Sequence, residues 1–99
     1  MNQSIVDANA HNIGVASQQF FVKNNLPLNF DLMDAFSHDV FIHLAKWHED
    51  RGMAFNPQEI LIGNDAIEYA MTEMQKTHDK AQAMALLLSL FGMSSEMIA

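Results

Sequence analysis

The chain contains no cysteine. That absence excludes a disulfide framework, a thiolate zinc site and a cysteine nucleophile. Cations are scarce, five Lys and Arg against twelve Asp and Glu, for a formal net charge of −7. Five scattered cations cannot build the basic patch that tracks a phosphate backbone, so nucleic acid is not an expected partner. Proline occurs twice and glycine four times, each glycine isolated, so there is no Gly-rich phosphate loop. No stretch alternates apolar and polar residues beside a hairpin turn signal, which leaves strands without support. The longest apolar run, 83–93, is broken by Ser89 and Gly92. It is shorter than the ~18–20 residues of a membrane span. The first residues, Met1-Asn2-Gln3-Ser4, carry neither the basic nor the apolar region of a secretory leader. A cytoplasmic protein that does not engage membranes is the expectation.

What is present suits one helical domain. Ninety-nine residues with 49% apolar content are enough for a single core and too apolar for disorder. The spacing predicts four helices, at approximately 4–24, 30–51, 57–62 and 65–91, followed by a tail at 92–99. The fold class is all-α, a small antiparallel bundle of three long helices and one short one, expected to be dimeric.

In the first helix Ser4 is placed to cap, and Ile5, Ile13, Ala16 and Phe20 fall near helical spacing. Gly14 interrupts it at a cost of roughly 1 kcal/mol relative to Ala, which points to close approach of another helix. Asn24-Asn25 before Pro27 reads as its stop. In the second, Met33, Phe36, Val40, Leu44 and Trp47 recur at steps of three and four. Asn29 or Asp31 can cap it, and Gly52 suits the left-handed residue after its last turn. The third is marked by Asn56-Pro57-Gln58-Glu59, which sets a cap, a Pro at the first helical position and Glu at the third. Gly63 is placed to end it. The fourth opens at Asp65 with Glu68 three residues on, and carries Ile67, Met71, Met74, His78, Ala81, Ala85 and Leu88 at heptad steps. Uninterrupted, it is about 40 Å long. A compact chain of this size has a radius of gyration of only ~13 Å. It must therefore bend near Thr77–Asp79 or project.

Several constellations invite a chemical reading and fail on geometry. Ser37-His38-Asp39 spells a triad, but neighbours on a helix diverge by about 100°. His38, His43 and His48 recur every five residues, whereas a metal pair on one helix needs three or four. Asp34–His38 and Asp39–His43 are spaced for ordinary surface ion pairs. His78 lies within an apolar stripe, as a satisfied core or interface histidine would, or as a pH-responsive contact. Glu59, Asp65, Glu68 and Glu73 read as a solvated face with helix caps. No catalytic, cofactor or metal residue is therefore assigned, and no cofactor is expected.

The segment 81–99 is different. It holds one charge, Glu96, and Leu86-Leu87-Leu88 covers nearly the full circle of a helix. A helix that is apolar all round must be buried all round, either as the centre of the domain or against a second subunit. Met84, Leu87, Leu90, Phe91, Met93, Met97 and Ile98 are the candidate partner or dimer interface. Helix 4–24 adds Gln18, Gln19, Asn24 and Asn25, uncharged polar residues that interfaces tolerate. Fourteen of the seventeen charges lie between residues 31 and 80, so both ends are charge-poor. The expected function is a non-enzymatic protein–protein interaction module of the regulator, inhibitor or assembly-factor type, acting as a homodimer or on another protein. Two alternatives are an acidic decoy of nucleic acid that binds a basic protein, and a metal protein or enzyme using His and carboxylates.

Overall fold

A computed structural model describes residues 3–92 of the chain. It contains three helices, α1 (Gln3–Lys23), α2 (Phe30–Asp50) and α3 (Asn64–Leu90), and no strand among the described residues.

Each long helix ends where the local chemistry asks it to. Asn25 takes φ 55°, and Leu26 N–H donates to the Phe21 carbonyl at 2.9 Å, closing α1 in a Schellman arrangement. Asn29 Oδ1 accepts the Leu32 N–H at 3.1 Å and caps α2. Gly52 takes φ 68°, and Met53 N–H reaches back to the His48 carbonyl at 2.8 Å. Gly92 takes φ 65° after α3. Only a left-handed residue allows these carbonyls to be satisfied, and Gly and Asn reach that region at least cost.

Three expected local details differ. Ser4 lies inside α1, which already includes Gln3. Helix α3 opens at Asn64 behind Gly63, with no side-chain cap, so Asp65 and Glu68 form no capping box. Asp65 instead sits in the first turn, where the helix dipole favours a carboxylate. The predicted short helix at 57–62 is a single turn. Asn56 O accepts from Glu59 N–H at 3.1 Å and Ile60 N–H at 2.9 Å, and the ladder goes no further.

Asn9 stops it. The Asn9 side chain is buried, with 4% of its surface exposed. Its Nδ2 donates to the carbonyls of Pro57 and Ile60, each at 2.9 Å. Its Oδ1 accepts the Ile62 N–H at 2.9 Å. Only this amide orientation serves two carbonyls and one N–H at once. The Pro57 carbonyl would have received the next helical bond. A two-turn helix gains little against its nucleation cost, so a fixed amide from α1 outcompetes it.

The core forms where all three helices meet. Val40 and Leu44 of α2 are fully buried against the small Ala66 and Ala70 of α3, themselves without exposure. Ile67, Met74 and Ile62 extend that contact, and Ile13, Phe20 and Phe21 of α1 close it. Phe36 lies 4.8 Å from Phe20 with the rings tilted by 43°, and edge-on at 5.0 Å from Phe21. At the far end of α2, His48 is buried, its Nδ1 bonded to the Leu44 carbonyl at 2.8 Å. A carbonyl only accepts, so Nδ1 carries the proton. The ring lies between Trp47, 4.9 Å away, and Phe55, 5.2 Å away. The buried stripe of α2 is thus Phe36, Val40, Leu44 and His48, while Trp47 packs half-buried against the core and Met33 is exposed.

Two polar clasps set the direction of α1. Asn9, near its start, holds the turn before α3. Near its end, Asn24 and Gln75 exchange amide hydrogen bonds at 3.0 and 2.9 Å. Helices α1 and α3 therefore run parallel, with α2 opposed to both. Helix α3 continues without a break through Thr77–Asp79 and outlasts its neighbours. The radius of gyration is accordingly 16.2 Å, with extents of 53 × 29 × 21 Å.

Asn9→Ala would strand the Ile62 N–H and two carbonyls. We expect a loss of about 2–4 kcal/mol in urea unfolding, since each buried unsatisfied group costs ~1–3 kcal/mol. Asn9→Asp has the same shape but faces two carbonyls with a carboxylate, so it should cost at least as much. Wild-type stability in both variants would show that the clasp contributes nothing.

Candidate functional site

Heptad residues Ile67 and Met74 of α3 are buried, and Met71 and His78 are half-buried. The His78 ring meets Phe20 edge-on at 6.0 Å, near the last contact with α1. Beyond it the neighbours end. Ala81 and Ala85 are exposed, and Leu88 is half-buried. The stripe continues along the helix after the core has stopped.

The sequence-predicted residues fall on this free end. Met84, Leu87, Leu90 and Phe91 are all exposed, Leu90 at 74% and Phe91 at 70% of their surface. Leu86 is exposed as well. Met93, Met97 and Ile98 lie outside the described residues. The alternative of a central helix wrapped by the others does not hold for 81–90, because every residue there except the half-buried Leu88 is exposed. Met84, Leu87 and Phe91 follow one another at three and four residues, so they share a face. No charged residue lies between Ala81 and Gly92.

The parallel arrangement places the α1–α2 turn at the same end as this arm. That turn also shows apolar side chains, Val22, Leu28 and Phe30, the last at 82% exposure. From Leu28 a groove of about 450 Å³ runs between α1 and α2. Ala10, Ile13, Gly14, Ser17, Gln18 and Phe21 form one wall, and Met33, Phe36, Ser37 and Phe41 the other. None of these side chains is charged.

Sequence reasoning missed this groove. Its one signal was Gly14, read as the site of close approach by another helix. Within the chain no helix approaches: a Cβ built at Gly14 meets nothing within 4 Å. Gln18 lines the groove, whereas Asn24 is committed to the clasp with Gln75.

The polar clusters are dispersed. His38 is exposed, His43 half-buried beside Tyr69 with ring centroids 6.5 Å apart, and His48 buried. Among the described residues no three His, Asp or Glu side chains come together as a metal site. Neither Asp34–His38 nor Asp39–His43 is joined. Among the described residues two surface ion pairs are formed, Lys46–Asp50 at 3.4 Å and Lys76–Glu73 at 3.2 Å. Such pairs contribute a few tenths of a kcal/mol. Among the described residues no helix is long and apolar enough to cross a membrane.

Gly14 has helical backbone and open space around it, so Gly14→Ala should stabilise the fold by about 0.5–1 kcal/mol. A lowered midpoint in chemical denaturation, read at concentrations where the chain is monomeric, would mean the position is not open. Against known proteins, the chain matches no family model, and no curated protein or solved structure is significantly similar to it.

Proposed function

We propose that the chain is a non-enzymatic helical interaction module, a small regulator, inhibitor or assembly factor of the cytoplasm, that works as a homodimer. The observation that carries this reading is the free end of α3. A helix with Met84, Leu86, Leu87, Leu90 and Phe91 all exposed, and with no charge from Ala81 to Gly92, is costly to leave in water. These five side chains show on the order of 500 Å² of apolar surface in one place, at the upper end for a monomer's largest patch. Covering such a patch by association is the usual resolution.

The charge distribution supports the same reading. Acids and bases are confined almost wholly to 31–80, and the arm from Ala81 to Phe91 carries none. The arm therefore presents no charged side chain of its own to a partner.

Solution mass by sedimentation tests this. Wild-type protein should sediment as a dimer of the 11.1 kDa chain. Leu87→Glu and Leu90→Glu should each weaken association by at least about tenfold, because a buried unpaired charge is strongly disfavoured. A monomeric wild type would overturn the reading, and a dimer indifferent to both changes would move the interface elsewhere. Two chains of like charge repel over a Debye length, so raising salt should tighten self-association. An acidic decoy bound to a basic partner would instead release that partner as salt rises.

A further inference from the structure

We infer that the α1–α2 groove is the seat of the α3 arm of a second copy, so that the dimer forms by reciprocal exchange of arms. This rests on the self-association proposed above and names its geometry.

Four observations on the molecule converge. The first is length. The groove wall from Ala10 to Phe21 extends about 17 Å along α1, and the arm from Ala81 to Phe91 about 15 Å along α3. The second is charge: in a protein of net charge −7, neither the groove lining nor the arm carries a charged residue. An uncharged apolar helix suits that lining, since Asp31, Asp34 and Asp39 of α2 are not part of it. The third is placement. The groove begins at Leu28 in the α1–α2 turn, at the end of the molecule from which the arm leaves. Two molecules meeting by these ends, related by a two-fold axis, lay each arm along the other's groove.

The fourth is area. The arm's exposed apolar surface, on the order of 500 Å², is by itself below the ~1,200–2,000 Å² of a stable interface. Reciprocal exchange engages both arms and both grooves and so doubles the contact of a single arm. A closed two-fold also leaves no free arm to propagate a chain of subunits. Met84, Leu87 and Phe91 then act as the anchors of a helix in a groove. Gly14 gains its reason, since a bare backbone in the groove wall lets a helix from outside come close. The inserted arm supplies a fourth helix to each bundle.

The absence of cysteine makes the test direct. Gly14→Cys and Leu87→Cys are introduced into separate chains, mixed at equal concentration and treated with a short bis-maleimide. The expected product is a cross-link between the two different chains, in excess over the Leu87→Cys homo-adduct. A homo-adduct of Leu87→Cys alone would mean that the arms pair with each other. That result overturns arm exchange while the dimer reading stands. Monomeric chains with no adduct would overturn both.

A second variant checks the groove. Gly14→Trp places an indole where the open space lies, on helical backbone that accepts it. The dimer dissociation constant should rise at least about tenfold, with helix content by circular dichroism unchanged. Dimerisation unchanged by the indole would overturn the proposal.

Discussion

Three hydrogen bonds from one amide hold the architecture in place. Asn9 stands on α1 and takes charge of the segment that joins the other two helices. That connection, residues 51–63, is long for a small bundle. Left alone, its buried carbonyls and the Ile62 N–H would have no partner. The Asn9 amide satisfies Pro57, Ile60 and Ile62 together. With Ile62 fixed in the core, α3 must start at Asn64, and Ala66 and Ala70 must face α2. The close contact of Val40 and Leu44 with those alanines follows. So does the direction of α1, and with it the position of the arm relative to the turn. Burying a polar group is favourable only when every bond is made, and then it selects one arrangement over the many a greasy contact would allow.

Much of this could be read from residue order, and the rest has an identifiable obstacle. The ends of α1 and α2 are set within a few residues, by Asn24-Asn25, Asn29 and Gly52, so they are legible. The apolar character of 81–92 is legible because it contains no charge, whereas its projection is not, since residue order left enclosure and exposure both open. The turn at 57–62 was misread. Its own residues favour a helix, and the group that prevents it lies about fifty positions upstream. Asn9 itself looks like any surface asparagine until its partners are known. The stripe on α2 drifted from Trp47 to His48, because a histidine with a carbonyl partner and two aromatic neighbours buries as readily as a tryptophan. The groove had no sequence signature beyond Gly14, since a groove is a statement about what fails to be filled.

The molecule divides its labour by charge. Residues 31–80 carry most of the ionic groups and keep one region solvated, while the projecting end and the groove carry none. In the proposed dimer, that separation is what would let an acidic protein bind a copy of itself. The repulsion is long-range and weak across saline water, whereas the apolar contact is short-range and free of ionic desolvation. A covering partner must therefore match shape more than charge.

The parallel run of α1 and α3 also sets an order in time. Both polar clasps join residues more than fifty positions apart, 53 for Asn9 with Ile62 and 51 for Asn24 with Gln75. Closing loops of that size is slow and entropically costly, while α2 and α3 are neighbours in the chain and pair with less delay. On a ribosome, α1 emerges first and waits longest, with Phe20 and Phe21 uncovered until most of the chain has followed. Its weak charge and abundant Asn, Gln and Ser are then an advantage of a different kind. They let an early helix remain in water without committing to a wrong partner before the amide of Asn9 meets the turn that it was waiting for.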